Sequence, residues 1–225
     1  MVVSKWLQTL VLVGAAQALA TASIVSTSGT VVIEAPPASV LKGQNVGLPD
    51  AFVFVEQTGV TLSNSITVDI NTPGFYNSKV GMPMGFIAAG VVVDSYYYNA
   101  DTGTGVTHQY SGSITFSSPV LGIIALDPEF RASDAALGAP GTVYPETNRQ
   151  GRRQFEFGRI NDTVTWSGDT VFFHDIVSTA TDDLRIITSG VPTQGTPEPA
   201  SAALLLASLG VLAACKRRMP RSHRS

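Results

Sequence analysis

Ala51-Phe52-Val53-Phe54-Val55 carries the clearest structural signal in this sequence. Its β-branched and aromatic residues favour a strand, and the turn-forming pair Pro49-Asp50 stands immediately before it. Residues 65–70 have the same character and are followed by the turn former Asn71-Thr72-Pro73-Gly74. This part of the chain therefore predicts short strands joined by turns.

The same pattern of β-branched and aromatic stretches continues in both directions along the chain and predicts about ten strands. The further candidates are residues 30–33, 85–99, 113–116, 120–126, 154–157, 163–166, 170–173 and 184–187. A short helical turn is expected only at residues 132–137. Because many short strands without helical crossovers favour antiparallel pairing, we predict an all-β fold, an antiparallel β-sandwich over residues 23–190. A closed barrel would give similar signals and stays open as the alternative.

Charge is distributed unevenly along the 225 residues, a length typical of one domain. Residues 23–196 hold eight basic and sixteen acidic residues, a net charge of −8. Nucleic acid is not expected as a partner, because binding it depends on clustered Lys and Arg. The single cysteine, Cys215, lies outside this acidic part, which excludes a disulfide framework there.

The N-terminus, residues 1–22, has the pattern of a secretory signal peptide. Lys5 supplies the positive charge, an apolar core follows, and small residues then stand at the spacing that signal peptidase requires. Cleavage is expected after Ala18, Ala20 or Ala22. The alternatives are an apolar helix in a core and a retained membrane helix. For the latter the apolar stretch is short, since about 20 residues are needed to span a bilayer.

The C-terminus has three segments in order. A linker, residues 191–199, ends in Pro197-Glu198-Pro199, where two prolines interrupt any helix. Residues 200–215 are uncharged and apolar and predict a short transmembrane helix of about 24 Å. Lys216, Arg217 and Arg218 begin a basic tail, residues 216–225, which stays cytoplasmic because basic residues resist translocation. The domain would therefore face outward.

The C-terminal arrangement of Pro197-Glu198-Pro199, short apolar helix and basic cluster resembles the PEP-CTERM sorting signal of exported bacterial proteins, a tail also named after the C-terminus of ice-binding proteins. The resemblance implies recognition by exosortase and removal of the tail near that motif. The protein would be held in the inner membrane for a time and then passed to the cell surface or exopolysaccharide. An ordinary membrane anchor with incidental prolines is the alternative.

Three stretches of the domain also resemble sequence that recurs in exported proteins of this kind. They are residues 118–127, 132–145 and 182–188. The similar proteins have no assigned activity, so the resemblance implies export and no chemistry.

No catalytic residue is predicted. His108 and His174 are the histidines of the exported part, and His174-Asp175 would be half of a triad only with a positioned nucleophile. The sequence has no Gly-x-Ser-x-Gly nucleophile elbow. We therefore expect a protein that is not an enzyme, with an exported glycan-active enzyme as the alternative.

Calcium is the cofactor that the sequence suggests, since suitable oxygen ligands occur in two places. Asp127, Glu129 and Asp134 follow the expected strand at residues 120–126, in an expected loop, and Asp94, Asn99 and Asp101 form a second group. Neither spacing matches the twelve-residue calcium loop. The alternative is solvated turn carboxylates, with Asp134 capping a short helix.

Tyr96, Tyr98 and Asn99 suggest contact with surface glycans, because aromatic rings can stack on sugars and an amide can bind their hydroxyl groups. Successive strand residues point to opposite faces, so at least one residue of Tyr96-Tyr97-Tyr98 belongs to the core. Arg149, Arg152 and Arg153 predict a solvated loop, with an acidic glycan as a weaker possibility.

Together these features predict a non-enzymatic structural or adhesive protein of the cell surface or extracellular matrix. Its expected partners are signal peptidase, exosortase, the membrane through the C-terminal helix, and exopolysaccharide or surface glycans. A permanently membrane-anchored ectodomain is a further alternative.

Overall fold

Strands dominate the computed structural model, which describes residues 23–45, 50–103, 107–146, 154–158, 162–178 and 181–192. The predicted signal peptide with its cleavage candidates, the Pro-Glu-Pro motif, the apolar segment 200–215 and the basic tail lie outside the described residues. The arginines at 149, 152 and 153 lie outside them as well. In the part that is described, no helix has the length and apolar character to cross a membrane.

The described residues form twelve strands and one helix. They are β1 (Ile24–Gly29), β2 (Val31–Ile33), β3 (Ala51–Thr61), β4 (Ile66–Val68), β5 (Gly74–Tyr76), β6 (Gly85–Ile87), β7 (Val92–Asp101), β8 (His108–Phe116), β9 (Val120–Ile124), α1 (Asp127–Leu137), β10 (Thr163–Ser167), β11 (Thr170–Val177) and β12 (Thr181–Ser189).

Two five-stranded sheets carry the fold. Sheet A has the order β1-β8-β11-β10-β5, and sheet B has the order β2-β3-β7-β12-β9, while β4 and β6 form a separate pair. All pairings are antiparallel except that of β2 with β3, which is parallel. The prediction of an all-β domain built from antiparallel strands is confirmed.

The two sheets pack face to face through one apolar core. Tyr96 of β7 packs on Phe116 of β8 with ring centroids 4.6 Å apart, and Tyr98 packs on Phe173 of β11 at 4.5 Å. The intervening Tyr97 points to the other side of sheet B, where its ring lies 5.5 Å from that of Phe54. Sheet B is therefore buried on both faces, which explains why nine of the ten residues of β7 are buried instead of every second one.

A second core covers the outer side of sheet B. The helix α1 contributes its buried Phe130 and Leu137 to this core, beside Tyr97 and Ile187 of the sheet. Sheet A has no such layer among the described residues, and its strands alternate between buried and exposed positions. One sheet is thus interior and the other presents a face to solvent.

The helix is longer than the sequence pattern predicted. The expected turn at residues 132–137 is the second half of α1, and Asp127 and Glu129, expected in a loop, form its first turn. Pro128 is compatible with the first helical positions, and the two acidic residues favour the positive end of the helix dipole. These N-terminal features outweighed the weak amphipathic pattern.

Residues 154–157 are also corrected, because they form no strand. Phe155 and Phe157 are buried with ring centroids 5.0 Å apart, and the backbone N–H of Phe155 donates to the carbonyl of Ala125. Their apolar pattern reflects insertion of a turn into the core, not pairing with a neighbouring strand.

Strands β1 and β8 face each other through two glycines, Gly29 and Gly112. A methyl group on Gly112 would lie 2.0 Å from the carbonyl oxygen of Ser28. We expect Gly112→Ala to lower the free energy of unfolding by about 3 kcal/mol, because the strands must separate to relieve the overlap. Urea denaturation measures the change, and Ser113→Ala, expected to cost less than about 1 kcal/mol, is the control. Equal stability of the two variants would contradict the packing described here.

Candidate functional site

The most heavily bonded charged group of the described residues is the guanidinium of Arg185 on β12, which is completely buried. Its Nε donates to Oε2 of Glu56 and its Nη2 to Oε1, both at 2.7 Å. Such a two-pronged contact matches the planar geometry of both groups. Glu56 lies on β3, so the ion pair spans sheet B across β7.

The helix α1 supplies the remaining acceptors of Arg185. Nη1 donates to the carbonyl of Phe130 at 3.1 Å and to Oγ of Ser133 at 2.5 Å, and Nη2 donates to Oδ1 of Asp134 at 3.0 Å. The rings of Tyr97, Phe130 and Tyr144 surround the guanidinium carbon at 5.5–5.7 Å. Arg185 therefore fixes α1 onto sheet B.

Both oxygens of the Glu56 carboxylate accept further hydrogen bonds besides those from Arg185. Ser95 donates to Oε2 at 2.5 Å, and the Tyr144 hydroxyl donates to Oε1 at 2.6 Å. Burial together with the neighbouring carboxylate raises the pKa of Tyr144 above its usual range. Burial acts to lower the pKa of Arg185, but Glu56 more than offsets it, so the guanidinium stays charged. The contacts leave this network no open coordination position, and we interpret it as structural.

The first predicted calcium group does not converge on one point. Asp134 is bonded to Arg185 at 3.0 Å, and Asp127 forms an ion pair with Arg131 at 2.7 Å, one turn along the helix. In the described ranges, no group of three or more His, Cys, Asp or Glu side chains is arranged to hold a metal ion. The acidic side chains of this group instead stabilise α1 and its contact with sheet B.

The second predicted calcium group is spread along β7. Asp94 accepts from the backbone N–H of Gly59 at 2.5 Å, and Asp101 accepts from that of Gly43 at 2.8 Å. Between them, the amide of Asn99 donates to Oδ1 of Asp183 at 2.7 Å. Since a strand rises about 3.3 Å per residue, Asp94 and Asp101 lie far apart and bind no common ion.

The predicted glycan contacts are contradicted by burial. Tyr96, Tyr98 and Asn99 are all fully shielded from solvent, with 0% exposure each. Both tyrosine rings face the core between the sheets, because strand alternation sends them to the same side. They offer no face to a sugar, and the reason is that β7 is the central strand of a sheet covered on both sides.

The pair His174-Asp175 does not form half of a catalytic triad. Asp175 points into the core, whereas the half-exposed His174 points outward, where its Nε2 lies 2.7 Å from Nε2 of Gln109. Neighbouring residues of a strand face opposite sides, so Asp175 cannot orient this imidazole. The exposed His108 instead lies against Tyr110, with ring centroids 6.1 Å apart.

A cluster of buried carboxyl groups lies at one end of the core and was missed by sequence reasoning. The Tyr98 hydroxyl donates to Asp175 at 2.7 Å, Asp162 accepts from the backbone N–H of Ile176 at 2.9 Å, and Asp182 accepts from that of Glu156 at 3.1 Å. The signal was present in β11, where Asp175 occupies an inward position of the alternating pattern.

Burial controls the protonation of this acidic cluster. It raises the pKa of Asp175 to about 8, assisted by the neighbouring Asp162 and Asp183 and opposed by the Tyr98 hydrogen bond. Burial and then Asp175 raise the pKa of Asp182 well above its usual value. Asp175 therefore holds its proton near neutral pH, as expected where charge is poorly solvated.

Two small surface depressions occur among the described residues. One, of about 240 Å³, is lined by Lys79, Gln154, Glu156, Phe157 and Gly158. The other, of about 170 Å³, is lined by Glu34, Ala35, Pro37, Asn45 and Phe52. Both are smaller than the roughly 300–1,000 Å³ typical of small-molecule sites. Neither includes a residue predicted to be functional.

Comparison of the chain with protein-family models, with curated proteins and with solved structures finds no match. Function is therefore inferred from the surfaces and segments of this chain alone.

Removing the guanidinium should destabilise the fold severely. Arg185→Met leaves the Glu56 carboxylate buried without its counter-ion, and we expect a loss of about 3–5 kcal/mol in the free energy of unfolding. The matched control is Arg131→Met, which removes a partly exposed ion pair and should cost less than about 1 kcal/mol. Urea denaturation distinguishes them, and similar losses for both would show that the buried network is not a major support.

Stability should fall as the pH rises from about 4 to about 8. The folded state holds the Asp175 proton up to its pKa of about 8, whereas the unfolded carboxyl loses it near pH 4. The resulting stabilisation is complete below pH ~4 and is lost as the pH approaches ~8. Asp175→Asn, which still accepts from Tyr98, should reduce this slope in thermal unfolding, and the exposed Asp169→Asn should not. An unchanged slope in Asp175→Asn would exclude this assignment.

Proposed function

We propose that this chain is an exported bacterial surface protein of the PEP-CTERM type, with a non-enzymatic structural or adhesive role linked to exopolysaccharide. The main support is where the folded strands lie between the two sorting segments. The first strand begins at Ile24, after the last cleavage candidate Ala22, and the last strand ends at Ser189, before Pro197. Cleavage at both ends would therefore leave all twelve described strands in place.

The cluster of buried carboxyl groups gives no support to the glycan-active alternative. Glycoside hydrolases use two carboxyl groups that flank an accessible bond. Asp162, Asp175 and Asp182 are each at most 2% exposed, and each accepts a hydrogen bond from the protein itself. These groups support the end of the core and are not presented to a substrate.

The proposed route starts with signal peptidase, which cuts after Ala18, Ala20 or Ala22. Residues 200–215 then hold the domain outside the inner membrane, with Lys216, Arg217 and Arg218 on the cytoplasmic side. Exosortase would release the domain near Pro197-Glu198-Pro199 for transfer to the cell surface or matrix. The competing proposal is a permanently anchored ectodomain, in which the tail is never removed.

Intact-mass measurement of the membrane and extracellular fractions tests this route in an exosortase-carrying host. We expect the extracellular product to lack residues 1–22 and everything from about Pro197 onward. Replacing Pro197, Glu198 and Pro199 together with alanine should leave the protein in the membrane with residues 200–225 attached. The control Pro192→Ala changes the linker outside the motif and should be processed normally. A natural chain found only in membranes with its tail intact would favour the permanent anchor.

A further inference from the structure

Hydroxyl groups predominate on the outer face of sheet A. The inward positions of its strands carry apolar residues such as Ile114, Val164 and Phe173, so the alternate positions point outward. Nine of these outward residues are Ser or Thr, and we call this surface the hydroxyl face: Ser26, Ser28, Ser111, Ser113, Thr115, Thr163, Thr165, Ser167 and Thr170.

Strand register arranges the hydroxyl face in rows that cross the sheet. One row crosses all five strands through the successive partners Ser28, Ser113, Phe172, Thr165 and Phe75. Partners in a row are separated by about 4.8 Å, the spacing of paired strands. The structure therefore presents a regular, nearly linear set of contact groups to any molecule that lies across the strands.

Neighbouring hydroxyl groups on this face already contact one another. The Oγ atoms of Ser28 and Ser113 are 2.8 Å apart, and the Oγ1 atoms of Thr115 and Thr170 are 3.1 Å apart. The Ser28–Ser113 pair keeps further donor and acceptor capacity, because a hydroxyl group donates once and accepts twice. In the other pair Thr170 donates to Oδ1 of Asp169 at 3.1 Å, so that pair keeps acceptor capacity. The polar groups are thus held in position before a partner arrives, which lowers the entropic cost of binding.

Two aromatic side chains stand on the same row. Phe75 is 61% exposed and Phe172 is 46% exposed, although large apolar residues of this kind usually lie inside. Both pair with Thr165, one from each side, which places them two strands apart at about 9.6 Å. This separation is comparable to the length of a disaccharide, so both rings can contact one extended glycan chain.

The strands of sheet A present no full charge on the hydroxyl face, although the domain is acidic. At the edge of the face Asp169, in the turn before β11, accepts a hydrogen bond from Thr170 at 3.1 Å. Among the residues of the five strands of sheet A, the only Asp, Glu, Lys or Arg is Asp175, which points into the core. An anionic polymer would find no cation on this face and would be repelled by the net charge of the domain. An uncharged partner rich in hydroxyl groups fits the face best.

We propose that the hydroxyl face binds a neutral polysaccharide, with Phe75 and Phe172 stacked on sugar rings and the flanking Ser and Thr residues hydrogen-bonded to sugar hydroxyls. This inference rests on the proposed surface function, since it names the class of matrix polymer that the exported domain contacts. A second copy of the chain is a poorer occupant, because two hydroxyl-covered faces would bury many polar groups for little apolar area.

Affinity electrophoresis of the full chain through gels containing neutral polysaccharides tests the proposal. The probes are hydroxyethylcellulose, dextran and galactomannan, with the anionic alginate for comparison. We expect retardation by at least one neutral polymer and not by alginate. The Phe75→Ala/Phe172→Ala variant should weaken it by on the order of tenfold, because two ring contacts are removed. Phe86→Ala is the matched control, since Phe86 is 71% exposed but lies on β6, outside sheet A.

A charged variant gives a second measurement that does not depend on removing a ring. Thr165→Asp places a carboxylate between Phe75 and Phe172 at an outward position, and it should also reduce retardation while leaving the unfolding midpoint nearly unchanged. The proposal is overturned if no neutral polymer retards the chain, or if Phe86→Ala weakens binding as much as the sheet A variant. Dimerisation that disappears in Phe172→Ala would instead assign the face to a second copy.

Fractionation of the same variants separates this inference from the proposed function. A chain that is exported and trimmed but ignores every neutral polymer would reject the hydroxyl face as a binding surface and leave the sorting proposal intact. A chain that binds a neutral polymer but keeps its tail in the membrane would support the hydroxyl face as a binding surface and reject the sorting proposal.

Discussion

The buried contact between Arg185 and Glu56 is the constraint around which the described domain is organised. A guanidinium and a carboxylate removed from water carry a large desolvation penalty, which only complete hydrogen bonding and a close counter-ion offset. Both conditions are met by groups from β3, β7, β12 and α1, which must therefore be in place together. Removing any one of these partners leaves a buried polar group without compensation.

Because of this constraint sheet B is buried on both faces, whereas sheet A has one face in solvent, and that exposed face is the proposed binding surface. Because α1 is held on sheet B by Arg185, both faces of that sheet are interior and its residues are committed to packing. Sheet A keeps one face in water, and its exposed Phe172 stands among Ser and Thr residues without any full charge. The buried Asp175 and its acidic neighbours contribute pH sensitivity to the fold and do not reach that face.

The sequence predicted most of the strands because their β-branched and aromatic residues act locally. It missed β1 and β5, and it joined β6 and β7 in the single candidate at residues 85–99. It placed the start of the helix five residues too late. The N-terminal signals at Asp127 and Pro128 directly follow a strand pattern, and we interpreted them as part of a loop. The burial of Arg185 was beyond sequence reasoning, because its partner Glu56 is 129 residues away. The hydroxyl face was missed for a similar reason, as Phe75 and Phe172 become neighbours only through the register of β5, β10 and β11. Conversely, the aromatic run that includes Tyr96 and Tyr98 led us to predict a glycan contact, although these residues lie on the central strand of sheet B and are buried.

Amide hydrogen exchange of the full chain, followed by mass spectrometry, tests the central role of Arg185 most directly. Exchange reports the stability of each element separately. The account predicts that the slowest amides lie in β3, β7 and β12, and that Arg185→Met exposes α1 to exchange before it affects β8 or β11. Slowest exchange in sheet A, or an α1 whose protection is unchanged in Arg185→Met, would contradict the claim that this buried ion pair holds the fold together.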